Sequence, residues 1–332
     1  MTTAEWTPSS IVETAGNFWT ACVIHAAVKL GVFTALGDVP SNTGDLAGKL
    51  GLNERGLAML LNALAAVKLI SKHGDRYTNT TFSRSYLSRD DPRYLGYMIM
   101  HQHYLMGRWN GLAEAVSSGA PAVSPATMRD DPDQLESFLM GMFNLASELA
   151  PQVAQAIDLS GCRRLLDLGG GPGTYAIHFC RHNPQLTATV YDLPTTKPFA
   201  EKTIAGFNLR DRIRFMAGDF HKDEISGSYD AVWLSHILHS DDPDTCRALL
   251  RKAARVIKPG GTILIHDFIL EDTMDGPVYP ALFALNMLVN TPAGRSYSEG
   301  EITQMLAQAG ATDIRRLPFR GPTDSGIISA RK

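Results

Sequence analysis

The chain has 332 residues, 44% of them apolar and 20% charged, which is long enough for two domains and ordinary for a globular protein. A formal net charge of −3 gives no overall attraction to nucleic acid or to an anionic membrane, and no run of about 18 apolar residues is present to span a bilayer. The cysteines (Cys22, Cys162, Cys180, Cys246) are scattered with no CxxC pair, and Met1 to Trp6 lacks a basic region followed by an apolar run, so reduced thiols, no signal peptide and a cytoplasmic protein are expected.

Residues 10–35 carry an apolar helical pattern through Phe18, Ala21, Cys22, His25, Ala26 and Leu30. Two helical patches follow at 43–50 and 53–69, joined at Gly51; in the second, Leu57, Leu60, Leu61, Leu64 and Val67 share a face. Residues 70–78 read as two short strands around a glycine-containing turn. Helix, helix, hairpin is a winged-helix pattern, which suits either DNA binding or a dimerisation and packing module. The would-be recognition helix 53–69 has only Arg55 and Lys68 as cations, with Glu54 offsetting one. A DNA reader needs a basic footprint, so the packing module is the reading adopted.

Residues 93–158 continue as helices rich in Met, Leu, His and aromatics, among them Met98, Met100, His101, His103, Tyr104, Met106, Trp109, Phe138, Met140, Met142 and Phe143. Adaptable methionines suit a pocket for a flat apolar ligand, and equally a core or a dimer interface. His101 and His103 are two apart and diverge on a helix, which argues against a shared metal.

After Ser160 and Gly161 the pattern changes to alternating strands and helices, the mark of a parallel sheet covered on both faces. Strands are expected near 164–168, 187–191, 213–217, 231–235 and 262–266, with two closing strands near 313–317 and 326–330. Asp242 followed by Pro243 reads as an N-cap with proline at the first helical position, Pro259-Gly260-Gly261 as the stop of that helix, and 299–309 as another helix.

The most informative stretch is LLDLGGGPGT, residues 165–174: an apolar strand, an acid, a glycine-rich turn and a helix start. Backbone without Cβ passes close to a ligand, and the helix beginning at Thr174 presents unpaired N–H groups. A dinucleotide fingerprint requires glycine where Thr174 stands, and Asp167 would repel a pyrophosphate. The pattern instead suits a cofactor with a cationic amino-acid end, such as S-adenosylmethionine. In an open α/β sheet the ligand lies beyond the carboxyl ends of the strands. Those ends carry Asp167 with Gly169 and Gly171, then Asp192-Leu193, then Gly218-Asp219-Phe220, then Ser235 and His236 to His239. Asp192 is placed to accept ribose hydroxyls, Asp219 an adenine amino group, and Phe220 to stack on the base. The plainer role for each acid is a helix cap or a turn.

The order LLDLGGGPG, YDLP, GDF, DAVWLSHILH, KPGG resembles the plant caffeate and isoflavone O-methyltransferases and their bacterial relatives in natural-product and pigment synthesis, over nearly the whole chain. The resemblance implies a Rossmann-like class I methyltransferase sheet with an N-terminal, mainly helical winged-helix domain that dimerises. The expected divisions are 1–92 for dimerisation, 93–158 as a helical linker contributing to the acceptor pocket, and 159–332 for cofactor binding and catalysis. It implies that S-adenosylmethionine is the methyl donor, leaving as S-adenosylhomocysteine. Gly169, Asp192, Asp219, Phe220 and the backbone near Ser235 would hold it, with Asp167, Gly171 and Leu193 in the same turns. His239 would be the general base and Asp267 its orienting carboxylate. Met100, His101, Phe138, Met142, Leu285, Asn286 and Asn290 would line the acceptor pocket.

The chemistry fits. A phenol near pKa ~10 facing an imidazole near ~6.5 makes full proton transfer uphill by roughly 5 kcal/mol, so the proton should move as the C–O bond forms, or a neighbouring carboxylate should favour the imidazolium. The chain departs from the family at three places: Ser240 follows the base where an acid is usual, Arg295 or Ser296 stands where a second flanking Glu is expected, and Asp267 replaces a Glu. A C-methyltransferase on a pigment or tetrapyrrole-like acceptor is the alternative. A DNA-reading regulator and an NAD-dependent oxidoreductase are less consistent with the charge of 53–69 and with Thr174. His236 and His239 are three apart, but no Cys or further His follows at ligand spacing, so no metal is expected. The expected partners are an aromatic small molecule and a second copy of the chain, with neither nucleic acid nor membrane.

Overall fold

The structure is a computed structural model that describes residues 5–122 and 131–332, so part of the expected linker, 123–130, lies outside the described residues. It divides into two compact units: one of residues 1–105 and 136–144, the other of 106–135 and 145–332. The expected linker 93–158 is thus shared between them.

In the first unit the apolar pattern of 10–35 becomes three helices, Pro8–Gly16, Phe18–Lys29 and Val32–Leu36, interrupted at Asn17 and at Gly31, whose φ of +70° suits glycine. Strand β1 (Ser41–Asn42) precedes helix Thr43–Leu50 and helix Glu54–Ala66, both N-capped by asparagine: Asn42 accepts from the Asp45 N–H and Asn53 from the Gly56 N–H. Leu57, Leu61 and Leu64 of the second helix are buried with Phe33, Leu46 and Tyr77. Strands β2 (Ile70–His73) and β3 (Arg76–Asn79) form the wing, and β1 extends it to a three-stranded sheet in the order β1-β3-β2. Helices Thr81–Leu87, most of Gly96–Trp109 and residues 136–144 of helix Pro132–Ala156 complete the unit. Trp6, just before the first helix, and Ile11, Val12, Phe18 and Trp19, on the first two, leave large apolar surfaces exposed.

The second unit is a seven-stranded sheet of β4 (Arg164–Leu168), β5 (Thr187–Asp192), β6 (Ile213–Ala217), β7 (Tyr229–Ser235), β8 (Ile257–Phe268), β9 (Thr312–Arg320) and β10 (Ser325–Arg331), in the order β6-β5-β4-β7-β8-β10-β9. The first five in that order run parallel; β10 is antiparallel to β8, and β9, antiparallel to β10, runs in the direction of the first five. Parallel strands buried on both faces read as continuous apolar runs, and Leu165, Leu166, Val232, Trp233, Ile263 and Ile265 are fully buried. The chain order reverses across β4, which has β5 on one side and β7 on the other. A crevice for a ligand opens at such a switch point, beyond the strands' carboxyl ends.

Asp242 caps its helix as expected, accepting from the Asp244 and Thr245 N–H groups, with Pro243 first in the helix. The helix ends earlier than expected, at Val256, and Pro259-Gly260-Gly261 lies inside β8, which takes up a register shift against β7 between Tyr229 and Ala231. Helix Val278–Asn290 was not anticipated, because its apolar residues surround it too evenly to show a single face. Among the described residues, no helix is long and apolar enough to cross a membrane.

Candidate active site

The glycine-rich turn leaves β4 in a conformation that few other residues adopt. Gly169, Gly171 and Gly173 have φ of +70°, +53° and +78°. A Cβ on Gly169 would fall 2.3 Å from Ile237 Cδ1, so the turn is pressed against the segment that follows β7. The Gly169 N–H donates to the Tyr191 carbonyl at 2.8 Å, tying the turn to the end of β5.

Asp167 is 1% exposed, lying beneath Gly170. Its Oδ2 accepts from the Ala176 N–H at 3.2 Å, one of the unpaired donors at the start of helix Thr174–His182, while Oδ1 has no hydrogen-bond partner. Burial raises its pKa to about 7; the Ala176 bond opposes that shift and the charge of Asp192 adds to it. Asp192 closes β5: Oδ2 accepts from Gly171 N–H at 2.8 Å, and Oδ1 from Leu193 N–H at 2.7 Å and Thr196 Oγ1 at 3.2 Å. Asp219 accepts from His221 N–H at 3.0 Å and pairs with Lys222 at 3.1 Å. Burial would lift the Asp219 pKa, but these donors hold it below the ordinary value. Phe220 packs beside His221, ring centroids 4.5 Å apart. Each of the three acids therefore has a cap or turn role, and all three stand at ends of neighbouring strands. The orphaned Oδ1, the Cβ-free turn and the carboxylate at the end of β5 fit an adenosyl cofactor with a cationic amino-acid end.

Strands β7 and β8 are parallel neighbours in the register Ser235↔His266, so the residues just beyond them arrive at one level. His236 follows with φ +58° and donates its N–H to the His266 carbonyl at 2.8 Å. The chain then enters a short 3-10 turn, Leu238–Ser240, which carries His239. Asp267 lies one residue beyond His266, and His239 Nδ1 is 2.7 Å from its Oδ1. Both side chains are buried, at 8% and 3% residue exposure. The same Oδ1 accepts from Phe268 N–H at 2.8 Å, and His236 Nδ1 lies 3.5 Å away without a hydrogen bond. Burial would raise the Asp267 pKa, but the two imidazoles hold it well below the carboxylate range. An anionic Asp267 can only accept, so Nδ1–H donates this hydrogen bond, and in the neutral ring the lone pair lies on Nε2.

Several contributors were missed by the sequence reading. His266 is fully buried, its Nδ1 3.0 Å from Ser235 Oγ and 3.3 Å from the Tyr175 hydroxyl, its Nε2 3.0 Å from Ser325 Oγ. Burial, reinforced by His236, keeps it far below the usual imidazole range, and hence neutral. Phe283 meets the His239 ring at 4.7 Å and Phe268 meets Phe283 at 4.5 Å, forming an aromatic wall with Tyr279. The spacing of Tyr279 and Phe283, four apart on a helix, was the available signal.

Of the expected acceptor residues, Met100 is buried in the first unit's core, the His101 ring lies tilted beside that of Phe138 with centroids 5.3 Å apart in that unit, and Met142 is half-buried there. In the second unit Leu285 is half-buried, Asn286 Oδ1 accepts from Trp109 Nε1 at 2.9 Å, and Asn290 donates to the Asn286 carbonyl at 2.7 Å. Asn290 Oδ1 is buried without a partner. Neither Arg295 nor Ser296 supplies a second anion to His239: the Arg295 side chain pairs with Glu301 at 2.7 Å and Ser296 Oγ donates to the Pro280 carbonyl at 2.8 Å. The Arg295 backbone N–H instead donates to the His239 carbonyl at 2.8 Å.

Residues 109–312 match the O-methyltransferase domain, and residues 12–89 match the O-methyltransferase dimerisation domain. The chain is 35% identical to the 3-hydroxy-5-methyl-1-naphthoate 3-O-methyltransferase of Streptomyces sahachiroi, over 98% of this chain and 95% of that one. It is 31% identical to the tetracenomycin polyketide synthesis 8-O-methyl transferase of Streptomyces glaucescens, over 96% of each. Among solved structures, human N-acetylserotonin methyltransferase in complex with SAM superposes with a TM-score of 0.86 at 28% identity, covering 100% of this chain and 99% of that one.

Proposed function

The chain belongs to the O-methyltransferase family and is an S-adenosylmethionine-dependent methyltransferase, and from that premise we propose that it methylates a hydroxyl of an aromatic or polycyclic small molecule, with His239 as general base. The observation that carries the reading is the buried 2.7 Å contact between His239 and Asp267 at the ends of adjacent strands.

When bound, S-adenosylmethionine supplies a methyl group made electrophilic by its sulfonium. Asp167, through its partnerless Oδ1, would take the cofactor's ammonium, Asp192 its ribose and Asp219 with Phe220 its base. Gly169, Gly171 and Leu193 would bring backbone close, and Ser235, held by His266, would fix the far side of the turn. His239 Nε2 would accept the acceptor's hydroxyl proton as the oxygen attacks. Asp267 would hold the ring so that Nδ1 keeps its proton, and would offset the charge the ring gains. Its own anionic state is secured by the surrounding donors. Phe268, Phe283 and Tyr279 would keep water from the base and offer flat surfaces to an aromatic acceptor. Asn290 Oδ1 would accept from a second acceptor hydroxyl. Leu285 and Asn286 would add to acceptor recognition within the second unit, and the segments 1–92, 93–158 and 159–332 would divide the work as dimerisation, acceptor binding and catalysis.

The relatives' names place hydroxylated naphthoates and polyketides first among acceptors to test. Incubation with methyl-labelled S-adenosylmethionine and such a panel should give labelled O-methyl products, identified by NMR. A labelled carbon–methyl bond would overturn the hydroxyl assignment in favour of C-methylation, and wild-type turnover by His239→Ala would overturn the base. The exposed apolar residues Trp6, Ile11, Val12, Phe18 and Trp19 support a homodimer; light scattering should return twice the chain mass of 36.2 kDa.

A further inference from the structure

Along the local chain, His236 and His239 offer a metal two donors and no third. The fold adds Asp267, delivered by the neighbouring strand. One donor atom from each of the three lies within 4.8 Å of the others, with His236 Nδ1 3.5 Å and His239 Nδ1 2.7 Å from Asp267 Oδ1. Zinc takes nitrogen and oxygen donors at about 2.0–2.2 Å, which spaces tetrahedral donors by roughly 3.2–3.6 Å, so the His239–Asp267 contact opens and the widest separation closes by about 1 Å when the ion enters.

His236 Nδ1 is the independent sign. It is a buried nitrogen on a partly exposed ring, facing Asp267 Oδ1 at 3.5 Å outside hydrogen-bond geometry, and an atom so placed calls for an explanation. The ring is brought there by a left-handed backbone at His236, rare for a residue with a side chain, held by the bond to the His266 carbonyl. Asp267 is oriented from behind by the Phe268 N–H, the kind of outer partner that ligating carboxylates have. His266, with its ring centroid 4.6 Å from His236, is no competitor, because both of its nitrogens are engaged. Two imidazoles and one carboxylate favour zinc, cobalt or copper over magnesium and calcium.

We infer that His236, His239 and Asp267 form a site for a borderline-soft divalent cation, and that its occupation switches methyl transfer off. The second half rests on His239 being the base. A cation on Nδ1 takes the lone pair exposed when that nitrogen gives up its proton. The ring proton then resides on Nε2, so no net proton is lost from the imidazole. A ring carrying its proton on Nε2 has no lone pair there for the acceptor's proton.

The test uses the full-length dimer, freed of any affinity tag and stripped with chelator. Calorimetry with Zn2+ and visible absorption with Co2+ should show one tetrahedral site per chain, and a chelator should restore turnover lost to Zn2+. In His236→Asn, chosen because Asn tolerates the left-handed backbone, the Co2+ band should vanish. Half-inhibition, read against that variant's own metal-free rate, should need at least ~10-fold more Zn2+, since losing even an outer partner of a metal ligand costs ~10–100-fold. Should His236→Asn fail to fold by circular dichroism, His236→Gln takes its place with the same expectation. Absence of a tetrahedral Co2+ band in the wild type, or unchanged Zn2+ sensitivity in the variant, overturns the site and leaves the base assignment standing. Stoichiometric binding that leaves turnover intact overturns the inhibition and removes support for His239 as base.

Discussion

Replacing Asp267 by Asn separates charge from orientation at the base. Oδ1 of Asp267 accepts two donors, His239 Nδ1–H at 2.7 Å and Phe268 N–H at 2.8 Å. An asparagine can keep its carbonyl oxygen in that place and so retain the tautomer with Nε2 free. What it loses is the negative charge opposite a ring that, acting as the proposed base, would become positive in the transition state. A hydrogen bond to a charged group contributes ~1.5–3 kcal/mol against ~0.5–1.5 for a neutral one, a difference of about 1–2 kcal/mol. At ~1.4 kcal/mol per decade, kcat should fall about 5–30-fold. Asp267→Ala leaves both donors without a partner and frees the ring, so its loss should approach the ~10²–10⁴-fold expected of His239→Ala. The assay is single-turnover methyl transfer from labelled S-adenosylmethionine to an accepted phenol, with S-adenosylhomocysteine affinity measured by calorimetry and expected to stay within about three-fold. In a His239→Ala background, Asp267→Asn should cost little more, because the carboxylate acts through the ring. Wild-type kcat in Asp267→Asn, or losses that multiply in the double variant, would refute the arrangement.

Asp167 should make cofactor binding pH-dependent. With its folded pKa raised from 3.8 to about 7, the group stabilises the cofactor-free protein below about pH 4, and that stability is lost as pH rises through 7, by roughly 4 kcal/mol. A cofactor ammonium reverses the preference, so affinity should climb about ten-fold per pH step up to 7 and level off above it; calorimetry from pH 5.5 to 8.5 on wild type and Asp167→Asn would show this slope in the wild type alone. The signs are opposite at Asp267, whose depressed pKa supplies stability above about pH 4 that is lost on acidification, and thermal melts of Asp267→Asn should be flatter in acid. Gly169→Ala must place a Cβ at φ +70° against Ile237, costing about 1–2 kcal/mol in melting free energy and weakening cofactor binding. On Gly294 a Cβ would fall 2.5 Å from the His239 carbonyl oxygen, so Gly294→Ala should displace the turn carrying the base and lower kcat ten-fold or more with cofactor affinity retained, a split that steady-state kinetics and calorimetry would show.

Which parts of this protein were written locally follows from the range of the forces involved. Continuous apolar runs at 164–168 and 231–235, the capping signal at Asp242-Pro243 and the glycines at 169, 171 and 173 all act within a few residues, so periodicity, caps and φ preference expose them in the chain itself. The family resemblance likewise named Asp267 for the base, and the two stand 2.7 Å apart. Helix Val278–Asn290, with no single apolar face, carried no comparable signal.

Contacts between distant segments belong to the tertiary structure. Parallel pairing of β7 with β8 decides that residues 28 apart share a hydrogen bond and that His236 turns a ring nitrogen towards the same carboxylate, and the packing of helix Val278–Asn290 sets Phe283 against His239. Asp167 shows the division most clearly: its position in the glycine-rich motif is plain in the chain, yet its pKa near 7 arises from complete enclosure by the fold. Identity and spacing are properties of the chain; the dielectric around a carboxylate, and the company kept by a ring nitrogen, exist only once the strands have packed.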